Sequence, residues 1–215
     1  MNDLYRGFND IISDLRTGDI VLFKGDWFIS KVIQKFEHSQ WSHVAMVVRA
    51  EDLGYKDKEY PTLLWESTPE NDLDDFQLNK KKTGPQLINL HERLHIDFVK
   101  KYNDAFAVRH LKVERTPEMM DKLGRFIAAA HSAEFPSYLK FIIEFFEGRL
   151  LNVKPSLDNF FCSELVAESY IQMGLLPAGR SSESYDPKDF SASGKITLEN
   201  GAKLGEEISI DVAKL

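Results

Sequence analysis

Three residues far apart in the chain are suited to one chemistry: Cys162, His43 and Glu66. Cys162 is the sole cysteine of 215 residues, and a lone cysteine is ordinarily a small buried hydrophobe. Its setting gives it a second use. It stands at the start of FCSELVAESYIQMG, which reads as a helix closed by Gly174, with Pro177 beyond it. Unpaired N–H groups and the macrodipole at a helix start favour a thiolate. The same N–H groups are placed to donate to an oxyanion. Val166, Tyr170 and Met173 continue the Cys162 side of that helix and are apolar, so the sulfur is expected to face the body of the protein.

A thiol nucleophile needs a base of near-neutral pKa, which means histidine. Of the six histidines, His43 heads SHVAMVVR, where strand alternation puts it on one face with Ala45 and Val47. A core histidine bonded to backbone and a base for Cys162 both fit that position. Glu66 closes the apolar run TLLWES on the Leu64 face, in the strand expected to pair with the His43 strand. A carboxylate there needs either solvent or a partner, and His43 is a candidate partner. The joint reading is a nucleophile, its base and the group that orients the base.

The stretches GDIVLF, SHVAMVV, WES and FCSELVAESY together resemble the permuted papain-like hydrolases. More closely they resemble the YiiX/YaeF-type branch of the NlpC superfamily, which has a poxvirus member. In ordinary papain-like enzymes the cysteine helix precedes the strands that bear the histidine; here His43 comes first, the permuted order. The resemblance runs from Gly18 to about Pro187. It implies the nucleophile, base and orienter roles for Cys162, His43 and Glu66. It also implies an α+β, circularly permuted papain-like fold, with a small antiparallel, barrel-like sheet packed against the cysteine-bearing helix and flanking helices.

The chemistry expected is hydrolysis of an amide or ester through a thioester, with no metal or organic cofactor. The resemblance allows peptidoglycan stem peptides and other small peptides, N-acyl amino acids or amines, and lipid esters as substrates. Lecithin:retinol acyltransferase-like proteins share the permuted order, which keeps a lipid-directed acyltransferase or phospholipase-like thiol enzyme open. A binding module with a dormant triad is a third class. A fourth comes from His91-Glu92-Arg93-Leu94-His95, which spells H-E-x-x-H. As a zinc hydrolase motif it needs both histidines on one helical face. Gly84-Pro85 just upstream and a strand-like QLINL before it argue that no long helix surrounds it.

Strands are expected at IVLFK, SHVAMVVR, TLLWES, QLINL and AFAVRHL, and shorter ones at KITL and ISIDV. An opening amphipathic helix is expected through Leu4, Phe8, Ile11, Ile12 and Leu15, and another over residues 26–36. Thr116-Pro117 reads as an N-cap and first helical residue, followed by a stripe of Met119, Met120, Leu123, Phe126, Ile127 and Ala130. YLKFIIEFFEGRLL adds an aromatic-rich helix ahead of Cys162, either an ordinary core helix or a wall of the substrate pocket. With no linker or repeat, residues 1–215 read as a single domain.

The bulk properties narrow the partners. At 43% hydrophobic, 28% charged and net charge −7, the chain has no broad nucleic-acid footprint. One cysteine excludes an internal disulfide. The N-terminus lacks a basic stretch leading into an apolar one, so no secretory signal is expected. No window approaches the roughly eighteen consecutive apolar residues of a spanning helix. The expected location is cytoplasmic, although a form trimmed of a leader would look the same.

Overall fold

The structure, a computed structural model, describes residues 5–25, 39–55, 62–68, 70–131 and 160–212. The helices expected over 26–36 and 138–146 lie outside the described residues. What is described is a mixed α+β architecture with a mostly antiparallel sheet and four α-helices.

The β-branched, apolar runs become the centre of the sheet. β2 (Ile20–Gly25), β3 (His43–Arg49) and β4 (Thr62–Thr68) pair antiparallel in succession, with β7 (Gly84–Asn89) beyond β4. On the other side β8 (Asn103–Arg109) pairs with β2, and β11 (Ile208–Asp211) with β8. β1 (Tyr5–Gly7) adds the one parallel pairing among the described residues, and the order of the sheet is β1-β11-β8-β2-β3-β4-β7. Short two-residue strands pair at β5 (Asp74–Asp75) with β6 (Lys80–Lys81), and at β9 (Leu111–Lys112) with β10 (Lys203–Leu204).

Alternation sends successive side chains to opposite faces, and both faces are covered. Val21, Phe23, Ala45, Val47, Leu64 and Val108 pack against α1 (Phe8–Ile12) and α2 (Leu90–Lys100) through Phe8, Ile11, Leu90 and Leu94. Leu22, Val44, Met46, Val48, Leu63 and Trp65 pack on the other side. There they meet α3 (Pro117–His131) and α4 (Phe160–Gln172). A strand buried on both faces reads as continuously apolar, which is why SHVAMVVR and TLLWES stand out in the sequence.

Three expectations need correction. The opening helix is only five residues long, because residues 5–7 instead extend as a strand along β11, Tyr5 opposite Ser209. KITL is not a strand; Ile196 and Leu198 pack on the core from irregular chain, and Lys203–Leu204 makes the pairing instead. A full helix, α2, surrounds HERLH. Its start is set by Asn89, whose side chain accepts from the Glu92 N–H at 3.1 Å, so strand and helix abut with no loop between them. A residue that ends one element and caps the next hides the boundary from periodicity.

α4 is held by polar contacts as well as packing. The Trp65 indole donates to Ser169 Oγ at 3.2 Å, and the Tyr170 hydroxyl donates to the Gly18 carbonyl at 2.6 Å. Gly18 has φ +92°, and a Cβ there would stand 2.7 Å from Leu111 Cδ2, so glycine is required. The neighbouring Asp19 is buried and accepts from His110 Nδ1, the Leu111 N–H and Arg115 Nη2, which fixes the entry into β2.

Candidate active site

His43, Glu66 and Cys162 are brought together. His43 is the first residue of β3, where β2 and β3 are paired at Phe23↔His43. The Met46↔Trp65 register of β3 with β4 sets Glu66 two positions along from the histidine on the same face. His43 Nε2 lies 2.7 Å from Glu66 Oε2. Cys162 lies close enough to His43 for its side chain to act on the ring. Phe23 meets the imidazole edge-to-face at 5.0 Å between centroids and limits its rotation.

The approach of Cys162 is not the one that strand alternation suggests. His43 and Glu66 belong to the α2 face of the sheet, while Cys162, Leu165 and Val166 pack on the α4 face. The two sides meet at the end of β3, where the first turn of α4 carries the sulfur to the histidine. Cys162 is 5% exposed, and the His43 side chain 17%. A nearly dry thiol therefore sits beside a partly exposed imidazole.

The electrostatics favour charge on the ring. Burial works against the imidazolium, but the Cys162 charge and its hydrogen bond, followed by Glu66, outweigh it and raise His43 to about 10. Glu66 has no exposed surface. Burial pushes its carboxyl up, yet the Arg93 guanidinium and the His43 hydrogen bond hold it below the usual carboxylate range.

Arg93 was not among the candidate residues. Its Nε donates to Glu66 Oε1 at 2.8 Å, and its Nη1 reaches Glu70 Oε2 at 2.6 Å and pairs with Asp97. Burial raises the Asp97 carboxyl to about 7 in spite of that partner. The sequence did hold a signal. Leu90, Arg93, Leu94 and Asp97 form the buried stripe of α2, and two opposite charges four residues apart inside such a stripe mark an ion pair turned inward.

The histidines of HERLH face the other way. Both are exposed, with rings stacked at 6.3 Å and 6° between planes, as i, i+4 spacing on a helix dictates. Among the described residues no group of three or more His, Cys, Asp or Glu side chains is arranged to hold a metal ion.

Two further histidines contact buried carboxylates, His110 with Asp19 at 2.8 Å and His131 with Asp75 at 2.7 Å. Two residues after Cys162, Glu164 is 3% exposed, its Oε1 without a hydrogen-bond partner among the described residues. Burial, then the Glu183 and Glu168 charges, raise its carboxyl to about 8. A cleft of about 630 Å³ runs between the 3-10 turn at Ala50–Leu53 and α3, away from these residues. No helix among the described residues is long and apolar enough to cross a membrane.

No family model matches the chain, and no curated protein matches it. Among solved structures, the crystal structure of the metalloprotein YiiX from Escherichia coli O157:H7 is similar at 19% identity and a TM-score of 0.37. That alignment covers 72% of this chain and 64% of that one, so the match spans less than two thirds of the neighbour's length.

Proposed function

We propose that this protein is a cysteine hydrolase that cleaves an amide or ester through a thioester on Cys162. The single observation that carries the reading is His43, bonded through Nε2 to Glu66 and with the Cys162 side chain beside it. A histidine with one nitrogen committed to a carboxylate and a thiol beside the ring has the partners that nucleophilic catalysis requires. The motif resemblance to permuted papain-like enzymes points the same way, since it assigns the same three residues.

In the proposed cycle His43 takes the proton of Cys162, and Glu66 balances the imidazolium. The thiolate attacks the carbonyl carbon of the acyl substrate, and the electron pair of the C=O bond moves to oxygen. N–H groups of the first turn of α4, that of Cys162 included, are suited to receive that charge. Collapse of the tetrahedral species expels the amine or alcohol, to which His43 gives its proton, and leaves a thioester. Neutral His43 then takes a proton from water as the water attacks the thioester, and a second collapse releases the acid and returns the thiolate–imidazolium pair.

Intact-mass detection of an adduct with a panel of activated acyl esters and amides tests the reading. Wild-type protein is expected to gain one acyl mass on Cys162 and to lose it on standing, while Cys162→Ala gains none. Adducts that discharge only to an added amine or alcohol would make the protein an acyltransferase. A wild type that takes no acyl group would leave a binding module.

A further inference from the structure

We propose that Arg93 is a positioning residue for this chemistry: it keeps Glu66 ionised and turned toward His43 throughout the reaction. The inference rests on the thiol-hydrolase reading above. Among the described residues each oxygen of Glu66 has a partner, Oε2 with His43 Nε2 at 2.7 Å and Oε1 with Arg93 Nε at 2.8 Å. The carboxylate is therefore held at both ends, and a rotation that would lose the imidazole must also break an ion pair.

The need for Arg93 follows from the cycle itself. While His43 is an imidazolium it neutralises Glu66, but it surrenders its proton to the leaving group. At that point Glu66 is a fully buried carboxylate beside a neutral ring, and such a charge takes up a proton unless another cation attends it. Arginine does not titrate in proteins, and the planar fork of Arg93 reaches Glu66 through Nε and Glu70 and Asp97 through Nη1. Arg93 is itself nearly dry, at 4% exposure. The cavity beside it, lined by Glu66, Glu70, Gln86 and Arg93 among others, is about 10 Å³, room for about one water. Its charge is thus weakly screened where it meets Glu66.

The charged groups facing Glu66 are His43 from β3, Arg93 and Asp97 from α2, and Glu70 just beyond β4. Three carboxylates share one guanidinium. Asp97 has relief from Asn103, whose Nδ2 donates to its Oδ2 at 2.7 Å. The alternative is that Arg93 merely fastens α2 to the sheet, in which case its loss would reduce folded protein without altering how activity depends on pH.

The rate of Cys162 acylation by an activated ester, measured against pH and substrate concentration, separates the two. Arg93→Gln is expected to move the acid limb of the profile upward by about one pH unit or more, with KM unchanged. Arg93→Lys keeps the charge and loses the fork, so its limb should stay in place while kcat falls about ten- to a hundredfold. Because Arg93→Gln leaves Asp97 without its cation, Arg93→Gln/Asp97→Asn is made alongside it and should carry the same displaced limb. Equal losses at every pH in the glutamine variants, or full kcat in Arg93→Lys, would overturn the proposal. If the glutamine variants do not fold, Arg93→Lys decides: lower kcat at unchanged KM supports it, and wild-type kcat rejects it. A wild type that takes no acyl group removes the thiol reading, and this inference with it.

Discussion

The Tyr170 hydroxyl donates to the Gly18 carbonyl at 2.6 Å, joining the last turn of α4, whose first turn carries Cys162, to the turn that begins β2. Both groups are buried, and the bond sets how far α4 slides along the sheet, which in turn sets where Cys162 arrives. Tyr170→Phe keeps the ring and strands the carbonyl, so it should cost about 1–3 kcal/mol. Urea unfolding checks this. Unchanged stability would show that the carbonyl finds another donor.

In the proposed chemistry Glu66 orients and stabilises the imidazolium without making a covalent bond, so its loss should reduce turnover and spare Cys162. Glu66→Ala is expected to lower kcat on the order of a hundredfold to ten-thousandfold while Cys162 still takes the label. Glu66→Gln keeps a hydrogen bond and should retain more. His43→Ala should be at least as damaging, and the double variant no worse than the worse single. Additive losses would leave a Cys–His dyad without Glu66.

The proton on His43 should show in alkylation. With the ring raised to about 10 by Cys162 and Glu66 against burial, iodoacetamide should react with Cys162 faster below that pH than it does in His43→Ala. A second rise should follow near pH 10 as the imidazolium loses its proton. His43→Ala should collapse this to one step. The stability that His43 contributes is complete below its ordinary 6.5 and fades as pH climbs through about 10. One wild-type step at the ordinary value would make the cysteine structural.

Glu164 should weaken the fold as it ionises. Its folded carboxyl sits at about 8 against an ordinary 4.5, so the folded protein holds that proton more tightly than the unfolded chain. Its contribution is therefore complete below 4.5 and lost as pH rises through about 8. Glu164→Gln should gain on wild type across that window and hold a constant advantage above it. Denaturant melts from pH 4 to 9 would show a flat difference if the carboxyl is solvated.

The helix around HERLH supplies the context that a zinc motif needs, yet no third ligand stands near among the described residues. Purified protein is expected to carry no stoichiometric zinc, and chelators should leave acylation of Cys162 unchanged. Elemental analysis finding one zinc per chain, lost in His91→Ala, would displace the thiol chemistry.

Much of the local structure is written in the sequence. Near-continuous apolar runs mark β2, β3, β4, β7 and β8, and Thr116-Pro117 starts α3 because a cap and a proline act on their own turn, Thr116 Oγ1 accepting from the Met119 N–H. The types and elements of Cys162, His43 and Glu66 are equally local properties. Their meeting is not. Alternation puts His43 on one face of the sheet while α4 packs on the other, and only the docking of that helix carries Cys162 around the end of β3. Arg93 escaped notice because its worth depends on Glu66, 27 residues away, and that contact exists once β4 and α2 are packed. β1 likewise needs β11, at the far end of the chain, before three residues of an apparent helix extend as a strand. Periodicity and caps act within a turn or a strand, whereas buried charges and edge pairings draw their energy from partners that only the folded chain supplies.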